Sequence, residues 1–338
     1  MQKYKLSVCI PTYNRGEFIG QTIQSIIDAA EGIDGIEIAI SDNSSTDNTR
    51  EVIEHYRKKF PNITYFCWDK NMGADRNFLK VVEIASGEYC WFMGSDDRAE
   101  KNSISLIMTA LEQYGKLSGI TLNVRAYDPK LVSEIFSRPP TKNINDVLYN
   151  SNEKCFSELG HYFGYISAQV VNRKLWQDVV KENNVEEYFN AYVHVYVIAK
   201  MLEKNANWLY INTKCVGWRS GNDSFLSDGR LKRLAIDVFG YEKIARDVYG
   251  KNSLPYNELL KIVCSVHIWY AVLGAKVNSE PIWFYRKAFK MCFDTYKQYP
   301  IFWLKTFPLF LIPSWLILKI RVIYRKFFKK KCIAVDIL

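Results

Sequence analysis

Two adjacent carboxylates, Asp96 and Asp97, follow the apolar run Cys90-Trp91-Phe92-Met93 and the link Gly94-Ser95. At the mouth of a buried strand, paired negative charges are costly without a counter-charge. A hard divalent cation, Mg or Mn, taking oxygen ligands from a carboxylate and a diphosphate would neutralise both charges and stabilise a departing nucleoside diphosphate. The competing reading is electrostatic capping of the helix that follows. Asp42 ends another apolar run, Ile36 to Ile40, ahead of the cluster Asn43-Ser44-Ser45-Thr46-Asp47. Capping explains Asp47; for Asp42 the reading is acceptance from a nucleobase N–H.

These groups need elements to position them, and hydrophobic spacing supplies the elements. Residues 5–10 read as a strand ending at Pro11, and residues 17–30 as a helix with Ile19, Ile23, Ile26, Ile27 and Ala30 on one face. The alternation repeats: strand 36–40, helix 47–60, strand 63–66, helix 75–85, strand 89–93, helix 103–114. It predicts an α/β fold, a mostly parallel sheet with helices on both faces. In such sheets ligands bind beyond the carboxyl ends of the strands. There lie Thr12-Tyr13-Asn14-Arg15, the 41–47 cluster, Asp69-Lys70-Asn71-Met72-Gly73, and Gly94-Ser95-Asp96-Asp97, four consecutive loops making one site. Further on, 119–124 and 165–171 read as strands around an irregular acceptor-side insertion at 128–153. A helix at 191–203, a strand at 208–211 and a loop at 217–227 follow.

The apolar fraction of 48% and aromatic fraction of 15% are those of an ordered protein, and 338 residues suffice for a sizeable core. Eight singly scattered cysteines lack the close pairs of a zinc or dithiol site and read as buried thiols in a reducing cytoplasm. The opening residues run straight into a strand, which leaves no room for a signal peptide. The net charge of +9 is concentrated at Lys319, Arg321, Arg325, Lys326 and Lys329 to Lys331. Interleaved with Trp, Phe and Leu, that charge fits an anionic membrane surface and not nucleic acid.

The segments Ser7-Val8-Cys9-Ile10-Pro11-Thr12-Tyr13-Asn14-Arg15, Ser41 to Asp47, Asn71-Met72-Gly73-Ala74-Asp75-Arg76-Asn77 and Gly94-Ser95-Asp96-Asp97 together resemble family 2 glycosyltransferases of the GT-A type. The resemblance covers about residues 4–110 strongly and thins toward about 230. Within the family it runs to O-antigen abequosyltransferases and related dideoxyhexosyltransferases, through Ala74 to Leu79, Tyr89 to Asp97 and Gly221-Asn222-Asp223-Ser224-Phe225. It implies that Pro11, Tyr13 and Asp42 bind the nucleotide and that Asp96 and Asp97 hold the metal and diphosphate. The candidate donor-binding set is Pro11, Thr12, Tyr13, Asn14, Arg15, Asp42, Asn71, Asp75, Arg76, Ser95, Asp96 and Arg219.

The family often has Asp where this chain has Gly94, so the pair must work without a leading carboxylate. Asp75 and Arg76 fall in the segment that touches diphosphate or sugar in the family, and a guanidinium fork suits phosphate oxygens; a surface ion pair is the alternative for Arg76. An inverting transfer needs a base to deprotonate the acceptor hydroxyl. Where relatives carry an acid, this chain has Asn190-Ala191-Tyr192-Val193-His194, which makes His194 the base by position; a packed core histidine is the alternative, with Glu186 and Glu187 as other bases. By the resemblance, Trp218-Arg219 with Gly221 to Ser224 corresponds to a loop that can close over the diphosphate; an ordinary Gly/Asn/Asp/Ser turn is the alternative.

The expectation is thus a GT-A domain at 1–227 and a helical, aromatic, basic region at 228–338. Its stretch 301–323, interrupted by Lys305, Pro308, Pro313 and Lys319, reads as an interfacial helical hairpin in preference to a span, with a buried helical subdomain as the alternative. The implied reaction moves a hexose, by the resemblance a deoxyhexose, from a nucleotide sugar to a lipid-linked saccharide on the inner face of the cell membrane. A sugar-nucleotide nucleotidyltransferase and an inactive sugar-nucleotide-binding scaffold are the competing functions.

Overall fold

The first strand, β1 (Leu6–Thr12), is buried along its whole length, as is β2 (Ile36–Asp42). Strands covered on both faces read as continuous apolar runs, which is what Leu6 to Ile10 and Ile36 to Ile40 are. The computed structural model describes residues 4–135 and 139–327. Around β1 and β2 stand α1 (Gly16–Ala29), α2 (Thr49–Lys59), β3 (Ile63–Cys67), α3 (Ala74–Ile84) and β4 (Tyr89–Phe92). On α1 the buried positions Ile19, Thr22, Ile23 and Ile26 follow helical spacing, so one stripe packs on the sheet.

Parallel pairing sets Leu6 opposite both Ile36 and Tyr89, and Thr12 opposite Asp42, which in turn faces Cys67. The carboxyl ends of all four strands therefore reach one edge. The second half of the sheet is built from β5 (Arg98–Ala99), β6 (Gly119–Tyr127), β7 (Glu134–Ile135), β8 (Val147–Tyr149), β9 (Gln169–Asn172) and β10 (Trp208–Arg219), in the order β3-β2-β1-β4-β9-β6-β10-β5. Here pairing turns antiparallel, β9 against both β4 and β6 and β10 against β5 and β8. The strict strand-helix alternation that enforces parallel pairing stops after α4 (Ser103–Gln113).

Two expected elements differ. The stretch read as a strand from 165 begins with a tight turn, Ile166–Ala168, before β9. The strand expected at 208–211 runs on to Arg219, so Trp218 and Arg219 belong to β10 and not to a loop. The segment beyond it is ordered: Asp223 caps the turn Ser224–Asp228 and pairs with Arg233.

Two compact units result, one of residues 4–125, 139–155 and 162–219, the other of 126–135, 156–161 and 220–327. The second unit draws in two earlier segments where the sequence suggested one boundary at 227. Ser220 N–H donates to the Tyr127 carbonyl, and the Tyr241 hydroxyl to the His161 carbonyl. Its helices are α8 (Arg230–Ala235), α9 (Tyr241–Tyr249), α10 (Leu254–Val263), α11 (Trp269–Val277), α12 (Ile282–Tyr296), α13 (Phe307–Leu311) and α14 (Ser314–Phe327); α5 (Asn152–Leu159), α6 (Arg173–Glu182) and α7 (Val193–Lys204) precede them in the chain. A π-turn at Cys264–Ile268 joins α10 to α11, and the Thr306 hydroxyl donates to the Cys264 carbonyl there. Of the cysteines, Cys332 lies outside the described residues; the other seven are free thiols, all but Cys67 buried.

Candidate active site

The first three loops of the sheet edge are tied to one another. Asn14, left-handed at φ 50°, donates its N–H to Ser45 Oγ and accepts the Thr46 N–H on its side chain. Asp42 is buried; its Oδ1 accepts from the Ser45 N–H and hydroxyl (2.9 and 2.6 Å), and its Oδ2 from the Tyr65 hydroxyl (2.9 Å). Asp47 accepts from the Gly16 N–H and from both the N–H and hydroxyl of Thr49, so it serves the first turns of α1 and α2 together. Capping, as expected for Asp47, is what its bonds do.

The Asn43 side chain donates to Asn71 Oδ1 and accepts the Met72 N–H, which joins the second loop to the third. Asn77, on α3, donates to the carbonyls of Thr12 and Ser41 and accepts from the Ser41 hydroxyl and the Trp68 indole. One buried amide thus fixes the ends of β1 and β2. Pro11 is buried within β1, Arg15 lies over the Phe18 ring, and Tyr13 is exposed. Among the described residues Thr12 Oγ1, buried at this same edge, finds no hydrogen-bond partner.

The fourth loop is held differently. Asp97 is 4% exposed. Its Oδ2 accepts from the hydroxyls of Tyr165 (2.6 Å) and Ser167 (2.5 Å), and its Oδ1 from the Arg219 N–H (3.0 Å). Burial, and then the charge of Asp96 beside it, push its pKa up to about 7. Asp96 is half-buried and so more open at the mouth, with Ser95 buried before it. The Arg219 guanidinium donates to the Asp96 carbonyl (2.8 Å) and to Gln21 (2.7 Å) and lies 4.9 Å over the Phe18 ring. Arg219 is a clasp on the carboxylate loop.

Gly94 explains the missing leading acid. A Cβ there would stand 3.0 Å from Asp97 Oδ2, 3.1 Å from Ser167 Oγ and 3.2 Å from Asp96 Oδ1. Both carboxylates close over the glycine, and a third in its place would crowd them with like charge. Among the described residues no group of three or more His, Cys, Asp or Glu side chains is arranged to hold a metal. The pair nevertheless fits a magnesium-type ion, which is commonly held by one or two carboxylates with substrate phosphate oxygens and water completing its shell.

Three expected site residues are engaged elsewhere. The Asp75 carboxylate accepts the N–H groups of Ala191 (2.8 Å) and Val193 (3.1 Å), capping the entry to α7, where Ala191 is left-handed at φ 75°. Burial raises its pKa. Arg76 pairs with Glu186 at the surface (3.1 Å) and lies over the Phe189 ring (5.0 Å), the ion pair weighed against a phosphate contact. Glu186 is thereby engaged, and Glu187 accepts from the Asn184 side chain. His194 is 1% exposed, edge-on to Phe78 (5.2 Å), with Nε2 3.3 Å from the Gly164 carbonyl. Burial pushes its pKa down to about 4. This is the setting of a packed core histidine, closed to an acceptor hydroxyl.

Sequence reasoning passed over Asn43, Asn77, Tyr165 and Ser167. For Asn77 a signal existed, a lone amide on the buried face of α3. Tyr165 and Ser167 gave none, since nothing local ties them to Asp97.

An edge of nucleotide-site type beside a carboxylate pair, on a sheet that turns from parallel to antiparallel, defines the GT-A class of sugar-nucleotide enzymes. The description Glycosyl transferase family 2 matches residues 7–166. The abequosyltransferase RfbV of Salmonella typhimurium is 35% identical over 262 residues, 73% of this chain and 76% of that protein. A Campylobacter jejuni GalNAc(5)-diNAcBac-PP-undecaprenol beta-1,3-glucosyltransferase is 32% identical over 34% of this chain and 37% of its own length. Among solved structures, S. aureus TarS 1–349 with UDP-GlcNAc shares the fold at TM-score 0.59 and 12% identity, covering 87% of this chain and 82% of that one. The Pyrobaculum calidifontis mannosyltransferase PcManGT, solved with GDP-Man and Mn2+, shares it at TM-score 0.54 and 15% identity over 98% and 89%. The chain belongs to glycosyltransferase family 2 and is a glycosyltransferase.

Proposed function

We propose that this glycosyltransferase acts in bacterial surface polysaccharide synthesis, moving a hexose of the deoxyhexose type from a nucleotide sugar to a lipid-linked oligosaccharide at the inner face of the cell membrane. The observation that carries the reading is the closing of Asp96 and Asp97 over Gly94 on the same sheet edge as Asp42. The names of the RfbV and undecaprenol-linked relatives support the sugar and acceptor classes. Pro11, Thr12, Tyr13, Asn14, Arg15, Asp42 and Asn71 line the nucleoside side, where Thr12 Oγ1 has no partner among the described residues. Ser95, Asp96 and Asp97 face the diphosphate, with Mg or Mn as the cofactor. Bound there, the cation supplies positive charge to the departing diphosphate.

Arg219 and Asp75 are positioning residues, the first through the carboxylate loop and the second through α7. Arg76, paired with Glu186, is left out of the donor contacts, and no proton is routed through His194. The division of labour is a GT-A domain through about residue 227 and a membrane-associated helical region after it.

Incubation with radiolabelled nucleotide sugars, membrane lipid extract and either Mn or EDTA tests the reading. Metal-dependent label in the lipid phase is expected. NTP formation from pyrophosphate would make the protein a nucleotidyltransferase, and nucleotide-sugar binding without transfer would make it a scaffold.

A further inference from the structure

Apolar side chains of the second unit face solvent on its C-terminal arms. Leu304 and Leu311, seven residues apart and so on one helical face, are 79% and 68% exposed; Trp303 beside them is 41% exposed. The opposite side of that arm is anchored: Phe302, Thr306 and Leu309 are buried, and Phe307 and Phe310 pack on Phe289 of α12. On α14 the exposed residues include Trp315, Ile320, Val322 and Ile323, with Lys319 Nζ 5.1 Å over the Trp315 ring. A monomer in water rarely carries so many large apolar side chains on adjacent helices.

Neither of these arms is long enough to cross a bilayer by itself. Phe302–Leu311 and Ser314–Ile323 are bent by 101° at Ile312-Pro313. The first arm, of ten residues, is about 15 Å long at 1.5 Å per residue, and α14, of fourteen, about 21 Å, both short of a ~30 Å hydrocarbon core. Leu254–Val277 is long and apolar enough to cross, yet it is 44% buried inside the unit and carries His267, whose Nε2 is buried. Charge selects the partner. Asp294 is the one acid between Ile282 and Lys331, against Lys287, Lys290, Lys297, Lys305, Lys319, Arg321 and further basic residues in sequence. Of these, Lys329 to Lys331 lie outside the described residues, as do the side chains of Tyr324, Arg325 and Lys326.

We propose that the bent pair α13–α14, with the π-turn Phe302–Thr306 ahead of α13, is an in-plane wedge that inserts Trp303, Leu304, Leu311 and Trp315 among the headgroups of an anionic phospholipid bilayer. Lys319, on the same helix as Trp315, reaches the phosphates. This deepens the reading of a lipid-linked acceptor and rests on it. Aromatic and aliphatic side chains seat at the headgroup boundary while lysine stems reach the charge, the arrangement of interfacial and not spanning helices.

The full chain is floated with vesicles of phosphatidylcholine alone and with added phosphatidylglycerol, reading bound fraction and tryptophan emission. Binding to the anionic vesicles, a blue shift, and weakening by salt are expected. Leu304→Glu with Leu311→Glu, both at exposed positions, abolishes flotation while thermal shift by nucleotide sugar stays unchanged. Lys319→Gln lowers the vesicle partition roughly fivefold, the effect of one charge near an anionic surface. Equal flotation of the double variant, or a wild-type chain that ignores vesicles and pairs with a second copy through Leu304 and Leu311 in analytical ultracentrifugation, overturns the wedge. Flotation without sugar transfer to any lipid acceptor would overturn the catalytic reading and leave the wedge standing.

Discussion

The loops after β1, β2 and β3 and the loop after β4 share one sheet edge, but different parts of the chain hold them. The first three are bound to each other through Asn14, Asn43 and Asn77, with every partner inside the first 77 residues. The fourth takes one early bond, from the Thr22 hydroxyl to the Asp97 carbonyl, but the Asp97 carboxylate and the Asp96 carbonyl are bound to Tyr165, Ser167 and Arg219, between 68 and 123 residues away. The network joining the first three loops is therefore complete within the early strand-helix units, whereas the carboxylate geometry depends on the later antiparallel strands as well. Damage to the late partners should weaken transfer and spare nucleotide binding.

Asp97→Asn puts the greatest strain on that contrast. Turnover should fall by roughly 10² to 10³, the scale of losing one positioned electrostatic group, while thermal shift by UDP or GDP sugars persists; near-wild-type transfer would remove Asp97 from the site. Asp97 also ties stability to pH. Its folded pKa of about 7 exceeds the ordinary carboxylate value near 3.9, so the native state binds the proton more tightly than the unfolded chain. Its contribution is full below about pH 4 and is lost as pH rises through about 7. In metal-free melting scans from pH 5 to 8, the wild type should lose stability relative to Asp97→Asn as pH rises.

Arg219→Ala comes next. Removing a buried guanidinium that ties Asp96 to Gln21 should cost on the order of 2 kcal/mol in urea unfolding and lower kcat more than it raises the KM for donor. A change confined to KM would make Arg219 a simple donor contact. Asp75→Ala should cost about 1 kcal/mol of stability, the scale of a lost helix cap, with donor KM unaltered; a raised KM would return Asp75 to the diphosphate. The smallest effect is expected at His194→Gln, a turnover change below about tenfold. A fall of roughly 10² to 10⁴ would make it the base after all.

Much of this was legible in sequence. Apolar runs ending in Thr12, Asp42 and Asp97 fixed the order of the first four strand-helix units and their common edge. The capping of α2 by Asp47 is legible too, because its bonds to Thr49 join near neighbours; its bond to Gly16 of α1, 31 residues away, is not. Arg219 was singled out as part of a mobile loop, but β10 carries on to include it, since alternation cannot say where a strand stops. Asp75 and Arg76 are adjacent and serve different partners, one turned to α7 and one to Glu186. Helix geometry points consecutive residues about 100° apart, so a motif read as a unit splits when it folds.

Hydrophobic periodicity alone determined that this chain winds an early parallel sheet and lines its carboxyl edge with Asn, Asp and Thr, because strands and caps are local. Only tertiary structure decided which carboxylate is buried. Asp96 and Asp97 are neighbours in sequence, yet Tyr165, Ser167 and the Arg219 amide close on Asp97 and leave Asp96 at the mouth. Burial is a property of what packs around a residue, and those partners arrive from strands that no local pattern connects to it.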